Sequence, residues 1–322
     1  MSYQWIGVGL LTGVVSALAF VSGLSGDPAL VLLTALAQVP LFMAGLGWRW
    51  ITAAVGAVAG AILLLVMAGP GGAISFLLVT ALAPLVLTNR AVLSQYEEDG
   101  TLIYYPAGRL LLWLAAIGCL VPFSLLALLG VTSGDINATL MAFAAETLER
   151  PELAPAVADL KDALERAGQP ASDADLQRLF AGIAPVAAAA VWTGTTAISG
   201  LIAHAAMVRS KLSLRPALGV NETQLPTPAL AALIGAFAVS FIPGLLGLAA
   251  SIAVAVLGTV YFFLGLSVTH DIARAWPGRA FVLALFYITL VLVPGFAISV
   301  ILVALIDQIF GLRRRLMNQI ND

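Results

Sequence analysis

The sequence predicts an all-α, polytopic transmembrane helical bundle of about eight to ten spans with a short helical extramembrane insert, and three observations carry that prediction. Of 322 residues, 61% are hydrophobic and 10% charged, with a mean hydropathy of +1.03; an ordinary globular domain carries about 25% charged residues. Uncharged apolar runs of about 17 or more residues recur, each long enough to cross a hydrocarbon core of about 30 Å. The runs are continuous rather than alternating, and lipid gives backbone amides no partner, so helices are expected rather than strands.

The elements follow in order. Span 5–23 carries Gly9, Gly13 and Ala17 at every fourth position, a spacing that lets backbones approach closely. Span 29–46 holds Gln38 near its middle, followed by Pro40, which deprives a helix of one amide donor. Spans 51–69 and 73–87 flank Pro70, and Gly56 and Gly60 repeat the small-residue spacing. Such faces serve internal packing or a partner membrane subunit. Span 110–130 contains Pro122 and the single cysteine, Cys119. Span 181–207 carries Thr193, Thr196, Gly200 and His204. Turn-type Pro-Gly pairs at 243–244 and 294–295 divide 229–242 from 245–268 and 280–293 from 295–310. The chain thus divides into a bundle over 1–130, an insert over 131–183 and a second bundle over 184–322.

Charge sets the expected orientation. With a cytoplasmic N-terminus, the inner loops hold Arg49; Arg90 and Arg109; Arg209, Lys211 and Arg215; Arg274 and Arg279; and the tail Arg313, Arg314 and Arg315. The outer connections near Asp27, Pro70, Pro243 and Pro294 hold no base. Both termini are therefore expected in the cytoplasm. The first helix has no base before it and no small-residue cleavage site, so it is expected to remain as a span.

The insert holds nine carboxylates against four bases. Its segment 151–168 opens with proline, repeats apolar residues at helical spacing and closes with glycine, which predicts an amphipathic helix. Ser172 and Asp175 form a variant capping box for the next helix. Two roles fit: an outer lid or docking surface, or a solvated connector.

Five polar residues within spans or at their ends are candidate ligand-binding groups: Gln38, Thr193, Thr196, His204 and His270. His204 follows Thr193, and His270 follows Thr259, by eleven residues, three helical turns on one face. Polar groups facing a bundle interior line solute paths, whereas histidines at a helix C-terminus also suit the interface and the dipole. Asp307, close to Arg313, is read as a boundary ion pair or a proton relay. There is no Walker A pattern, HExxH, GxSxG elbow or cysteine–histidine cluster in the sequence. No enzymatic activity, metal or cofactor is expected. A net charge of −2, with bases clustered only at 313–315, excludes nucleic acid as an expected partner.

The stretches "PLFMAGLGWRW" (40–50), "YYPAGRLLLW" (104–113) and the closing order "LGLSVTHDIARAWPGRAFVLALFY…LVPGF" resemble the YybS-like family of bacterial multispan membrane proteins. The likeness covers nearly the whole chain, the acidic insert least. That family is itself distantly similar in fold to the substrate-binding S components of energy-coupling-factor vitamin transporters. The resemblance implies a bundle in the bacterial inner membrane that holds a small molecule, with coupling subunits on other chains. No S-component ligand motif matches residue by residue, so no binding residue is carried over. The expected function is solute binding or transport. The alternative is a non-catalytic membrane scaffold for envelope or division machinery, with those proteins as partners.

Overall fold

The computed structural model describes residues 3–23, 33–98, 100–169, 171–217, 224–274, 277–293 and 295–313; Asp27, Trp276, Pro294, Arg314 and Arg315 lie outside them. The described chain is almost wholly helical. Its helices are α1 (Gln4–Ser22), α2 (Val39–Trp48), α3 (Trp50–Phe76), α4 (Leu82–Ala91), α5 (Ala107–Ser133), α6 (Ile136–Leu148), α7 (Ala154–Arg166) and α8 (Asp173–Arg209). Then follow α9 (Thr227–Val239), α10 (Leu245–Arg274), α11 (Arg279–Leu292) and α12 (Phe296–Phe310). Strands β1 (Ser94–Tyr96) and β2 (Leu102–Tyr104) form an antiparallel hairpin between α4 and α5. Among the described residues, five helical stretches are long and apolar enough to cross a membrane: α1, Trp50–Ala91, α5, α8 and α10.

Trp50–Ala91 is not one straight rod. Gly69 has φ 73° and ψ −172°, a conformation open to glycine and costly for other residues, and Pro70 follows it. Gly60 lies against the Phe76 ring, although sixteen residues of straight helix would separate them by about 24 Å. Leu64, Phe76, Ala57 and Ala81 share one buried cluster. The chain therefore turns back at Gly69, one residue before the expected break. A π-turn, Leu77–Ala81, then leads into α4.

Close packing follows the small residues. A Cβ on Gly13 would collide with the Gly56 carbonyl, one on Gly56 would lie 2.8 Å from the Gly9 carbonyl, and one on Gly60 would lie 2.9 Å from that of Gly13. The small faces of α1 and α3 are thus spent on each other. Gly265 of α10 meets the Val300 carbonyl of α12 in the same way. The largest buried cluster joins α5, α8, α9, α10 and α12 around Leu114, Ile252, Val260, Tyr261 and Leu264. Leu11, Val66, Phe281 and Val291 lie exposed on the outside, as apolar side chains facing lipid do.

The insert differs from its expected outline. α5 runs on to Ser133, and α8 begins at Asp173, with the Ser172 hydroxyl accepting from the Asp175 amide. At 37 residues α8 is about 55 Å long, more than a hydrocarbon core needs. A helix not expected from the sequence, α6, is capped by the Asp135 carboxylate and packs on α8 through Phe143 and Phe180. The segment 151–168 forms a 3-10 turn and α7, which has no buried residue.

One end of the bundle collects the basic connections. The Leu214 amide donates to the Leu46 carbonyl, and the Arg215 guanidinium donates to the carbonyls of Ala91 (3.3 Å) and Tyr105 (2.9 Å). Arg90 stacks 4.7 Å above the Trp113 ring at this end. The acidic insert belongs to the opposite end, beyond the C-terminus of α5.

Candidate functional site

A cavity of about 890 Å³ lies between α2, α4, α5, α8, α10 and α11. Its depth is apolar, with Phe42, Leu87, Leu114 and Phe263 among its walls. Its polar lining comprises His204, Arg215, His270, Arg274, Arg279 and Tyr287, with Thr88, Thr196 and Ser267. No described carboxylate lines it.

Gln38 stands just before α2, where two turn residues interrupt the helix and Pro40 begins it again. Pro40 therefore starts a helix instead of kinking one. The Gln38 amide nitrogen donates to the Thr196 hydroxyl at 3.0 Å and to the Val79 carbonyl at 3.1 Å. Trp192 Nε1 donates to the same carbonyl at 2.9 Å. Val79 lies in the π-turn, and Pro84 lacks the amide that a helical carbonyl five residues earlier takes in that register. The freed carbonyl is thus met from two other elements. Ser199 donates to the Ala35 carbonyl at 3.2 Å, extending the polar seam between α8 and the α2 region. Gln38 Oε1 is buried without a hydrogen-bond partner.

Of the five candidates, Thr196, His204 and His270 line the cavity. Gln38 sits behind Thr196, in contact with it. Thr193 does not join them: its hydroxyl donates to the Ala189 carbonyl at 2.8 Å, and its side chain fills the space left by Gly118 of α5. Shared helical face therefore did not guarantee a shared site.

The two histidines differ. His204 is nine-tenths buried, and its Nε2 has no hydrogen-bond partner. His270 Nδ1 lies 2.9 Å from the Leu266 carbonyl, so that nitrogen carries the proton. Its Nε2 lies 3.3 Å from the Tyr287 hydroxyl, linking α10 to α11. Asp271, adjacent in sequence, turns away to Arg313 (3.3 Å) and Arg274 (3.9 Å). His270 and Asp271 therefore do not form an acid–base dyad. Arg313 also pairs with Asp307, Nε to Oδ2 at 2.9 Å, and its backbone amide donates to Oδ1. Asp307 is thus held in a buried ion pair.

Arg215, Arg279 and Tyr287 line the cavity without having been candidates. The arginines carried a topological signal in the sequence, and nothing in their spacing marked them as lining. The lining offers hydrogen-bond donors and positive charge beside apolar walls. Among the described residues no cluster of His, Cys, Asp or Glu is suited to a metal ion. No family model, no curated protein and no solved structure matches the chain. The likeness to YybS-like proteins rests on the quoted stretches alone.

Proposed function

We propose that this is a multi-pass inner-membrane protein that binds a small solute in the cavity between α2, α4, α5, α8, α10 and α11, and moves it when joined by coupling subunits. The cavity carries this reading. Its volume, about 890 Å³, falls within the about 300–1,000 Å³ of small-molecule sites, and a few polar groups interrupt apolar walls as in such sites. Interiors packed for stability alone keep few voids larger than a water molecule. The sequence supplies no nucleotide-binding motif, so energy for transport comes from another chain. In this reading the chain crosses the membrane ten times, with the basic end and both termini in the cytoplasm.

Gly200 allows a direct test. A Cβ there makes ordinary contact with the Phe42 ring at 3.6 Å, so a larger side chain projects into the cavity without striking backbone. Wild type and Gly200→Leu are reconstituted in nanodiscs of native lipid extract and their retained small molecules identified by native mass spectrometry. A molecule held by wild type and lost from Gly200→Leu supports the reading. Identical spectra, with nothing retained by either, overturn it.

One observation favours the scaffold as a second reading. α7 is amphipathic and has no buried residue, and an exposed Lys161–Asp173 pair at 2.6 Å ties it to α8. A scaffold predicts that deleting 151–168 loses co-purifying envelope proteins while Gly200→Leu does not.

A further inference from the structure

We infer that the cavity takes its occupant sideways from the bilayer, through an opening between α8 and α11, so that the solute is a lipid-soluble molecule with a long hydrocarbon part; this rests on the cavity being a binding site at all. Two residues mark the edges of the opening. Leu201 of α8 and Tyr287 of α11 line the cavity and are also 49% and 40% exposed. On α8, one helical step of about 100° separates Leu201 from Gly200, which lines the cavity, and another separates it from Ile202, which lies exposed on the outside. On α11, Ala280, Leu283 and Tyr287 form the stripe toward the cavity, whereas Phe281, Leu285 and Ile288 are exposed away from it. No residue of α11 is buried, and the helices it packs on are α10 and α12, so α11 is not sealed against α8.

The opening lies at hydrocarbon depth. Leu201 stands eight residues before Arg209 at the end of α8, and Tyr287 eight residues after Arg279 at the start of α11. Each is therefore about 12 Å from the basic end. With those arginines at the headgroups, that distance falls inside a core of about 30 Å. A mouth at this depth, bordered on α8 by Leu201 and Ile202, faces acyl chains rather than water. Toward the basic end, the side formed by α2, α4 and α5 is closed: the Leu214 amide is bound to the Leu46 carbonyl, and the buried Arg215 to the carbonyls of Ala91 and Tyr105. Behind the mouth the walls are Phe42, Leu87, Leu114 and Phe263, and the Thr88 hydroxyl is committed to the Pro84 carbonyl at 2.7 Å. A polar solute arriving from water would shed its hydration here for few hydrogen bonds, whereas a hydrocarbon chain arriving from lipid gives up none.

The test uses the full chain in phosphatidylcholine nanodiscs. The probe is dodecanol carrying a diazirine on its chain, and labelled residues are read by peptide mass spectrometry after flash photolysis. Labelling of Leu114, inside the cavity, is expected to saturate, to be displaced by excess dodecanol and to fall at least tenfold in Gly200→Leu. Labelling of Val66, exposed on the outside, is expected to do none of these. Filling is timed by photolysis at intervals after the probe is added. Leu201→Trp narrows the mouth at an exposed position and is expected to slow Leu114 labelling at least tenfold without changing thermal unfolding. Ala280→Trp, which lines the cavity at the basic end, is expected to leave the rate unchanged. Slowing by Ala280→Trp and not by Leu201→Trp overturns lateral entry. Leu114 labelling that neither saturates nor responds to Gly200→Leu, while a native molecule is still lost from that variant, overturns the hydrocarbon class and leaves the cavity reading standing. Failure of both overturns both readings.

Discussion

Asp307 and Arg313 show how a residue's surroundings decide its role. Both side chains are about 7% exposed, and two of the arginine's nitrogens reach the carboxylate at 2.9 Å. Removing one member of a buried pair leaves an uncompensated charge, which costs about 3–5 kcal/mol. Asp307→Leu is expected to lower stability by less than that in detergent unfolding, because Asp271 stays 3.3 Å from Arg313, and Asp271→Asn by less still, because Arg313 keeps its closer partner. Equal losses would show that the two carboxylates share the arginine evenly. Gln38 belongs to the same scale. Gln38→Leu removes donors from Thr196 and Val79 but leaves Trp192 on the Val79 carbonyl. The expected loss is about 1–3 kcal/mol, read from the same unfolding curves. The Gln38–Thr196 bond joins residues 158 apart, so no spacing rule reveals it. Asp307–Arg313 was legible because its partners lie within two turns. Arg215 was not, because a loop arginine looks the same in sequence whether it faces water or reaches into a bundle.

At the scale of elements, composition speaks clearly where a run is long and poorly where it is short. The apolar runs located the long helices, and Pro70 and the Pro-Gly pair at 243–244 located breaks within a residue or two. The hairpin β1–β2 escaped notice because three-residue strands carry no period, although Gly100, with φ +82°, is a turn residue flanked by Leu102, Ile103 and Tyr104. α6 escaped because its 13 apolar-rich residues are too few for a span, and the acids that surround it in the insert suggested a solvated loop. Two glycines test the helix hairpin and the helix crossing. Gly69→Ala forces a side chain into a conformation that costs about 1–3 kcal/mol, and that loss is expected in thermal unfolding. Gly13→Val drives a branched side chain into the Gly56 carbonyl, and is expected to cost at least about 1–3 kcal/mol as an overpacking change. Gly7→Ala, with open space around its Cβ, is the matched control and is expected to be neutral or stabilising by up to about 1 kcal/mol. Equal effects at Gly7 and Gly13 would deny that the α1–α3 contact depends on small residues.

The whole molecule separates its charge: bases gather where α2, α4, α8 and α10 end, and carboxylates gather on the insert beyond α5. That separation was legible from the loops alone, since topology depends on composition near span ends rather than on contacts. The last two helices are the hard part. α11 has 14 residues and α12 has 15, so each is about 21–22 Å long, short of a core of about 30 Å. Two short helices cross only where the bilayer thins or flanking residues reach its surface; otherwise they dip in and return to one side. The basic residues on both sides of the pair exclude a single span, which would turn Arg313 outward against the charge rule, and are met equally by two crossings and by a re-entrant pair. Single cysteines in a Cys119→Ser background resolve this with a membrane-impermeant thiol reagent applied to sealed, right-side-out vesicles. Cysteines replacing Glu165, Pro243 and Val293 are expected to react. Those replacing Gln95, Lys211 and Pro277 are expected to react only after the vesicles are opened. If Val293→Cys reacts only after opening while the other five behave as stated, α11 and α12 form a re-entrant pair and the chain crosses eight times. The cavity keeps its six walls in either case, but α11, which has no buried residue and touches α10 through Tyr287 and His270, then becomes the wall with least lateral support.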